Sequence, residues 1–169
     1  MAEPAPDWQT WYDAYAARLL LFARQWLPVQ ADAEDAVQAG FVKFWRSRAN
    51  PEPADLPLLF TAVRTAALDL AKARRRRAGR EQRAADIAPT AWWDVDPLSG
   101  RERAEAVARA LAELPLEQRE VVVLRIWGGL TFAEVARTLG QNINTVAARH
   151  RSALASLRHL LPEACHESD

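Results

Sequence analysis

The stretch LTFAEVARTLGQNINTVAARHRSALASLRHLL, residues 130–161, decides the predicted fold of the C-terminal half. Thr131 and Glu134 have the spacing of a capping box, which begins a helix. Gly140 stands where a left-handed residue ends that helix, and a longer helix is predicted from about Asn144 to Leu161. A short helix, a glycine turn and a longer helix are typical of a helix-turn-helix, whose second helix enters a DNA major groove.

The second helix of this motif has a polar and basic face. Four arginines and no acidic residue occur between Glu134 and Glu163. The face is therefore positively charged, which favours binding beside a DNA phosphate backbone. The residues predicted to reach the groove are Asn144, Thr145, Ala148, Arg149, Arg151 and Ser152. The residues predicted to pack the two helices together are Ala133, Val135, Ala136, Leu139, Ile143, Val146, Leu154 and Leu157. On this pattern alone, a helical hairpin with a solvated basic face remains the alternative.

Apolar residues recur at three and four positions upstream as well, and no useful stretch alternates, so the predicted fold class is all-α. Three helices are expected in the N-terminal half, over 7–27, over 32–46, and from Asp55 into a basic run. Asp7 and Asp32 are the expected N-caps, and the three prolines of 47–57 predict a stiff loop. The apolar stripe of the first helix comprises Trp8, Trp11, Tyr12, Tyr15, Leu19, Phe22 and Trp26.

The helical periodicity breaks down between about residues 79 and 100, where Trp92 and Trp93 stand among prolines and glycines. We therefore predict two small helical domains, 1–83 and 101–169, joined by a flexible linker over 84–100. The second domain is expected to open with a Ser99–Glu102 capping box and a helix to Leu114, followed by a helix over 115–127. The apolar content of that later helix is Val121, Val122, Leu124 and Ile126.

A basic run, KARRRRAGREQR over 72–83, ends the third predicted helix and contains seven positive charges against one negative. Cations at a helix C-terminus also suit the helix dipole, so a solvated helix end is the alternative explanation. The same helix presents Phe60, Arg64, Thr65 and Asp69, and aromatic, polar and guanidinium groups in succession favour binding of single-stranded nucleic acid.

An acidic turn, Asp32, Glu34 and Asp35, begins the second predicted helix. Neighbouring positions on a helix diverge and no histidine lies near, which disfavours a metal site or an acid–base pair. An acidic face beside exposed aromatic residues instead predicts a protein docking surface. His150, His159, His166 and the single Cys165 lack the spacing of metal ligands, so we expect no metal, no cofactor and no catalytic site.

The composition of the 169-residue chain limits its class. Half of the residues are apolar, which supports a packed core, and 22 basic residues balance 22 acidic ones, which argues against a wholly basic coat protein. The apolar stretch LLLFA lies between Arg18 and Arg24, too short for a membrane span. The chain begins without a basic and then apolar leader, so a cytoplasmic location is expected.

Three of these stretches together resemble the bacterial RNA polymerase sigma factors of the extracytoplasmic-function type. DAEDAVQAGFVKFW, 32–45, is similar to the family's region-two helix that docks on the clamp coiled coil of the polymerase. LFTAVRTAALDLAKARRRR, 59–77, is similar to the helix that melts and reads the minus-ten promoter element. Residues 114–158, which include the helix-turn-helix, are similar to region four, which reads the minus-thirty-five element.

The resemblance implies roles for particular residues of this chain. It assigns polymerase contact to Asp35, Gln38, Phe41 and Trp45. It assigns the minus-ten side to Arg64, Thr65, Asp69, Lys72, Arg74, Arg75, Arg76 and Arg77, and the minus-thirty-five side to the six groove residues of the helix-turn-helix. Ala39 and Gly40 depart from the family pattern. A glycine inside a helix lowers helix stability by about 1 kcal/mol, so Gly40 is expected to weaken the docking helix.

The partners implied by the resemblance are core RNA polymerase, promoter DNA as duplex and as melted strand, and an anti-sigma factor. Two weakly binding modules on one tether would gain affinity through effective concentration, with no catalytic residue required. Two other classes stay open on the residues alone. One is a dimeric helix-turn-helix regulator that never contacts polymerase, and the other is a metal-dependent nuclease that uses the 32–35 carboxylates.

Overall fold

The structure is a computed structural model that describes residues 7–48, 50–79 and 101–161, with the backbone alone for 101–105. Every regular element in these ranges is helical, which confirms the all-α prediction. The helices are α1 (Trp8–Ala23), α2 (Gln30–Ser47), α3 (Leu56–Ala78), α4 (Arg101–Glu113), α5 (Leu116–Ile126), α6 (Phe132–Leu139) and α7 (Ile143–Leu160), with a 3₁₀ turn at Pro53–Asp55.

The chain divides into two compact units, the first containing α1–α3 and the second containing α4, α5 and α7. Several predictions from the sequence lie outside the described residues. They concern the linker over 84–100, the Ser99–Glu102 capping box, Trp92, Trp93, Arg80, Arg83, His166 and Cys165.

The core of the first unit is a cluster of aromatic and aliphatic side chains contributed by all three helices. Phe22, Phe44 and Phe60 are each at most 2 % exposed, and the rings of Phe22 and Phe60 meet edge to face at 5.4 Å between centroids. Trp11 stacks at a tilt on Phe44, with centroids 5.5 Å apart. Trp8, predicted to share the buried stripe of α1, is instead 55 % exposed, since it is the first residue of the helix and lies beyond its packed side.

The helix starts in this unit confirm one predicted N-cap and correct another. The Asp7 carboxylate accepts the Thr10 backbone N–H at 2.8 Å and the Thr10 hydroxyl at 2.7 Å, and these hydrogen bonds, the hydroxyl first, lower the pKa of Asp7. Asp32 does not cap α2, because that helix begins earlier, at Gln30, with Val29 in the N-cap position. Asp32 therefore lies in the first turn, and its carboxylate pairs with Arg74 of α3.

The proline-containing segment before α3 is more regular than the predicted stiff loop. The Asp55 carboxylate accepts the Glu52 backbone N–H at 3.0 Å, which closes the 3₁₀ turn Pro53–Asp55 in a capping box. The same carboxylate pairs with the guanidinium of Arg48 at 3.2 Å. Asp55 thus fixes the connection between α2 and α3 from both sides.

Gly40 of α2 lies in close contact with α3. A Cβ at Gly40 would stand 2.5 Å from Val63 Cγ2 and 2.7 Å from Val63 Cα, distances that real Cβ atoms do not show. The expectation that Gly40 weakens α2 is therefore incomplete, because the conformational cost of the glycine is offset by the close packing that its missing side chain permits. The neighbouring α3 positions, Leu59, Val63 and Ala67, are fully buried.

The second unit is built on α5, where Val121, Val122, Val123 and Leu124 are at most 1 % exposed. Ile126, predicted to belong to this apolar set, is 53 % exposed, because it is the last residue of the helix and the chain turns away at Gly128 and Gly129. Gly129 has a φ of 68°, a backbone conformation that would be strained for a residue with a side chain.

The helix-turn-helix has the predicted local chemistry. The Glu134 carboxylate accepts the Thr131 backbone N–H at 2.7 Å, and the Thr131 hydroxyl accepts the Glu134 N–H at 3.2 Å, which confirms the capping box. Gly140 has a φ of 63°, as predicted for the turn. Val135, Val146 and Ala153 are fully buried, whereas Ala133 and Ile143 are exposed, so their predicted packing was wrong. Ile143 is the first residue of α7, and the buried stripe begins one turn later, at Val146.

His150 of α7 lies in a small cluster with Phe132 and Arg125. Its ring meets the Phe132 ring edge to face at 5.2 Å, and the Arg125 guanidinium lies 4.5 Å from the Phe132 centroid. Partial burial, and secondly the positive charge of Arg125, lower the pKa of His150 from its usual value. As the pH falls, the His150 imidazole therefore becomes protonated at a higher pH in the unfolded chain than in the folded chain.

Replacing Gly40 with alanine is expected to destabilise the protein by roughly 1–3 kcal/mol, because the added methyl group must displace the Val63 backbone. Urea unfolding of the full chain measures the change. Gly79→Ala is the matched control, since a Cβ there meets only the Arg75 and Arg76 carbonyl oxygens, at an ordinary 3.4 Å and 3.8 Å. At an exposed helix position, glycine to alanine normally increases stability. A Gly40→Ala variant more stable than the wild type would therefore contradict the close approach of α2 and α3 at this residue.

The free energy of unfolding should fall as the pH drops through the unfolded histidine pKa of about 6.5, in part because His150 binds its proton more weakly when folded. His150→Leu is expected to make this loss smaller between pH 7.5 and pH 5.5, measured by urea unfolding at both values. His159→Leu, which removes an exposed imidazole from the same helix, serves as control. An identical pH dependence in wild type and His150→Leu would refute the effect.

Candidate functional site

The exposed side of α2 forms an apolar groove against the start of α1, which we call the α2 groove. It encloses about 540 Å³ and is lined by Trp8, Tyr12, Gln38, Phe41, Val42, Trp45 and Arg46. A more open depression of about 560 Å³ adjoins it, lined by Asp35, Gln38, Ala39, Val42, Lys43 and Arg46. The four residues predicted for polymerase contact are thus brought to one continuous surface, with Gln38 shared by both hollows.

The four residues differ in how far a partner could reach them. Asp35 and Gln38 are exposed and Trp45 is half-buried, whereas Phe41 is only 6 % exposed. The Phe41 ring lies 5.2 Å from the Tyr12 ring, so Phe41 forms the floor of the α2 groove. Trp8 and Tyr12 of α1 were predicted from the sequence only as members of a buried stripe, with no role on this surface. A tryptophan directly after an N-cap was the available signal, since the first helical turn often lies beyond the packed core.

The acidic turn of α2 does not form one uniform face. Asp32 points toward α3, where its carboxylate is 13 % exposed and pairs with Arg74. Glu34 and Asp35 remain exposed, with Glu34 accepting a hydrogen bond from Gln30 at 2.9 Å. Asp35 is therefore the member of the turn that borders the hollows on α2.

The predicted minus-ten residues lie in the middle and the C-terminal part of α3. Seven of the eight are exposed: Thr65, Asp69, Lys72, Arg74, Arg75, Arg76 and Arg77. Arg64 is half-buried, and its guanidinium lies 5.8 Å from the Trp26 ring centroid, within cation–π range. The Thr65 hydroxyl donates to the Thr61 carbonyl at 2.9 Å. Trp26, in the turn after α1, was predicted only as a core residue, and its contact with Arg64 depends on the packing of separate helices.

The exposed face of α7 contains five of the six residues predicted to enter a major groove. Asn144, Thr145, Ala148, Arg151 and Ser152 are exposed, and Arg149 is half-buried. The Asn142 side chain caps α7 by accepting the Asn144 backbone N–H at 2.8 Å. The Arg149 guanidinium donates from Nη1 to the Gln141 amide oxygen at 2.5 Å, and no sequence pattern predicted this partner.

No group of three His, Cys, Asp or Glu side chains in the described ranges is arranged to hold a metal ion. Among the helices of those ranges, none is both long enough and apolar enough to cross a membrane. The described surfaces are suited to binding other macromolecules. One is an apolar groove with a carboxylate at its edge, and two are helix segments that carry arginines.

Comparison with known proteins connects these surfaces to one family. Residues 11–80 match the family Sigma-70 region 2, and residues 104–157 match Sigma-70, region 4. The chain is 31 % identical over 156 residues to the ECF RNA polymerase sigma factor SigK of Mycobacterium tuberculosis, covering 89 % of this chain and 83 % of the relative. SigK of Mycolicibacterium vanbaalenii is 28 % identical over 162 residues, with coverage of 93 % and 83 %.

The fold is also similar to a solved structure. The sigma factor RpoE from Bartonella quintana, crystallised with the anti-sigma factor NepR, matches with a TM-score of 0.69 and 23 % identity, over 93 % of this chain and 98 % of that one. The two sigma-70 regions occur here in the predicted order, and the relatives align along most of the chain. The chain therefore belongs to the extracytoplasmic-function group of RNA polymerase sigma factors.

Proposed function

We propose that this sigma factor docks on core RNA polymerase through the α2 groove, while α3 engages the minus-ten promoter element and α7 the minus-thirty-five element. The observation that carries the proposal is the presence of both sigma-70 regions in one chain. As a sigma factor the chain binds core polymerase and directs promoter-specific initiation, and it is not an enzyme. A helix-turn-helix regulator that never contacts polymerase is not favoured, because region 2 makes up the N-terminal half.

The α2 groove has the composition of a protein interface. Its floor is aromatic, with Tyr12, Phe41 and Trp45, and polar groups from Gln38 and Arg46 stand among them. Interfaces gain most of their affinity where an apolar centre is desolvated inside a polar rim. We assign Asp35 to that rim, where a carboxylate contributes to the orientation and rate of association more than to the total affinity.

On α3, the exposed cations suit a DNA backbone that has been opened. Lys72 and Arg74–77 place five positive charges within six residues at the end of the helix. Phosphate binding by such groups is independent of sequence, so we assign them to holding the displaced strand. Base preference would then come from Arg64, Thr65 and Asp69 nearer the core, with Trp26 beside Arg64 as an aromatic surface for an unstacked base.

On α7, short and polar side chains near the N-terminus favour close approach to base edges. Asn144, Thr145 and Ala148 are small enough to let the helix enter a major groove, and Arg149 is long enough to reach a guanine. Arg151 and Ser152 are assigned to the phosphate backbone.

The two modules act together through their tether. We propose region-two and region-four domains over 1–83 and 101–169, with 84–100 as the linker, so that binding of one raises the effective concentration of the other. Transcription takes place where the chromosome is, and the proposed site of action is the cytoplasm. Because the Bartonella quintana relative was crystallised with an anti-sigma factor, we also propose such a partner for this chain.

Asp35→Arg is expected to weaken association with core polymerase by about tenfold or more, since reversing a rim charge destroys electrostatic complementarity. Binding of the labelled full chain to core polymerase, together with initiation in a reconstituted system, measures the effect. We choose this single change because Phe41 is buried, and its truncation would disturb the fold. Glu34→Arg makes the same charge change one residue away and should bind polymerase normally. Equal binding by the wild type and Asp35→Arg would refute the assigned docking surface.

Arg149→Ala is expected to reduce recognition of the minus-thirty-five element by roughly 1–3 kcal/mol, the value of one bidentate contact to a base. Holoenzyme binding to duplexes with single-base substitutions in that element measures it. Arg158→Ala removes the same charge from the far end of α7, so it should weaken all duplexes alike and preserve base preference. If Arg149→Ala kept the wild-type preference at every position, Arg149 would have no reading role.

A further inference from the structure

The arginine at the centre of the proposed reading face is held by a residue outside that face. Arg149 Nη1 donates to Gln141 Oε1 at 2.5 Å, and the two residues are eight positions apart. Gln141 directly follows the turn at Gly140, while Arg149 is in the second turn of α7. Both side chains are half-buried. The contact therefore joins the turn of the helix-turn-helix to its second helix.

Gln141 is itself fixed at its backbone. Its N–H donates to the Ala136 carbonyl of α6 at 2.9 Å, across a turn that the left-handed Gly140 permits. The Gln141 residue is thus anchored to α6 by its main chain and to α7 by its side chain. Because the backbone of Gln141 is fixed, its side chain restricts the orientation of Arg149 more than a side chain on a freely moving loop would.

The chemistry of this contact suits a residue that must still bind DNA. A guanidinium has five N–H donors in one plane, so one hydrogen bond at Nη1 fixes the plane and leaves donors on Nε and Nη2 for another acceptor. The amide of Gln141 is neutral, and α7 contains no Asp or Glu, so Arg149 is not neutralised by a carboxylate on its own helix. Two remaining parallel donors match the O6 and N7 acceptors of guanine.

We propose that Gln141 is a positioning residue that orients Arg149 toward one guanine of the upstream promoter element and so sets base specificity there. The inference rests on the proposed function, in which α7 reads the minus-thirty-five element. A guanidinium whose plane is fixed before binding loses less rotamer freedom when it contacts DNA. It can then form both hydrogen bonds only with a base edge that lies in the same plane. Gln141 thus acts through Arg149 and does not need to touch DNA itself.

The test compares variants of the full chain in holoenzyme with core polymerase. Holoenzyme selects from a duplex library randomised over the upstream element, and the discrimination for guanine is read position by position. Gln141→Met removes the acceptor while retaining side-chain length, and Gln141→Glu retains an acceptor oxygen for Arg149. Arg149→Ala identifies the position that Arg149 reads. Thermal unfolding of each variant measures folding, and none of the substitutions removes the backbone groups that form the Ala136–Gln141 hydrogen bond.

We expect Gln141→Met to lower guanine discrimination about fivefold or more at the Arg149 position, and to leave the other positions within about twofold, as befits one base contact. Gln141→Glu should retain most of the discrimination at that position. In the Gln141→Met/Arg149→Ala double variant the discrimination should equal that of Arg149→Ala alone, since the two residues act as one unit.

Three results would overturn the inference, and they are distinguishable. If Arg149→Ala loses a guanine position and Gln141→Met does not, Arg149 reads DNA without help from Gln141. If Gln141→Met weakens every position equally, or lowers the unfolding temperature along with binding, its role is structural. If Arg149→Ala changes no position, the reading role proposed for Arg149 fails first, and the positioning role of Gln141 fails with it.

Discussion

The close approach of α2 and α3 at Gly40 is the constraint on which the N-terminal unit depends. Only a residue without a side chain allows the Val63 backbone to come so near, and both helices carry buried phenylalanines within four residues of that contact. The exposed face of α2 carries the α2 groove, and the C-terminal end of α3 carries the basic residues. Both surfaces therefore belong to one packed unit, so the proposed polymerase and promoter contacts would be made by one body.

Charge in this chain is separated by position, although its total is zero. Exposed carboxylates are found near the start of α2, and exposed arginines at the end of α3 and on α7. The Asp32–Arg74 pair joins the acidic turn to the basic segment within the first unit. The Arg74 side chain is 52 % exposed, so solvent screens the pair and it contributes little to stability; it joins the start of α2 to the end of α3.

Sequence patterns predicted the helices and their local chemistry well, because these depend on residues close in the chain. Asp7, the Thr131–Glu134 capping box and the Gly140 turn are all determined within four or five residues. Errors arose where distant residues decide the outcome. Asp32 pairs across 42 positions with Arg74, Gly40 is required by Val63 of another helix, and Gln141 reaches Arg149 only after the turn has folded. Helix ends were the other source of error, since periodicity alone places Trp8 and Ile126 inside the core.

The length of α3 separates two kinds of binding in one small unit. Its last buried residue is Ala71, and seven more residues continue the helix by about 10 Å, carrying five cations into solvent. Contacts of these cations with phosphate release counterions and weaken steeply with ionic strength, whereas burial of the aromatic α2 groove does not. With the proposed assignment of α3 to DNA and of the α2 groove to polymerase, a change in cellular salt would act on DNA binding more than on polymerase binding. The holoenzyme would then stay assembled while it releases and resamples promoters.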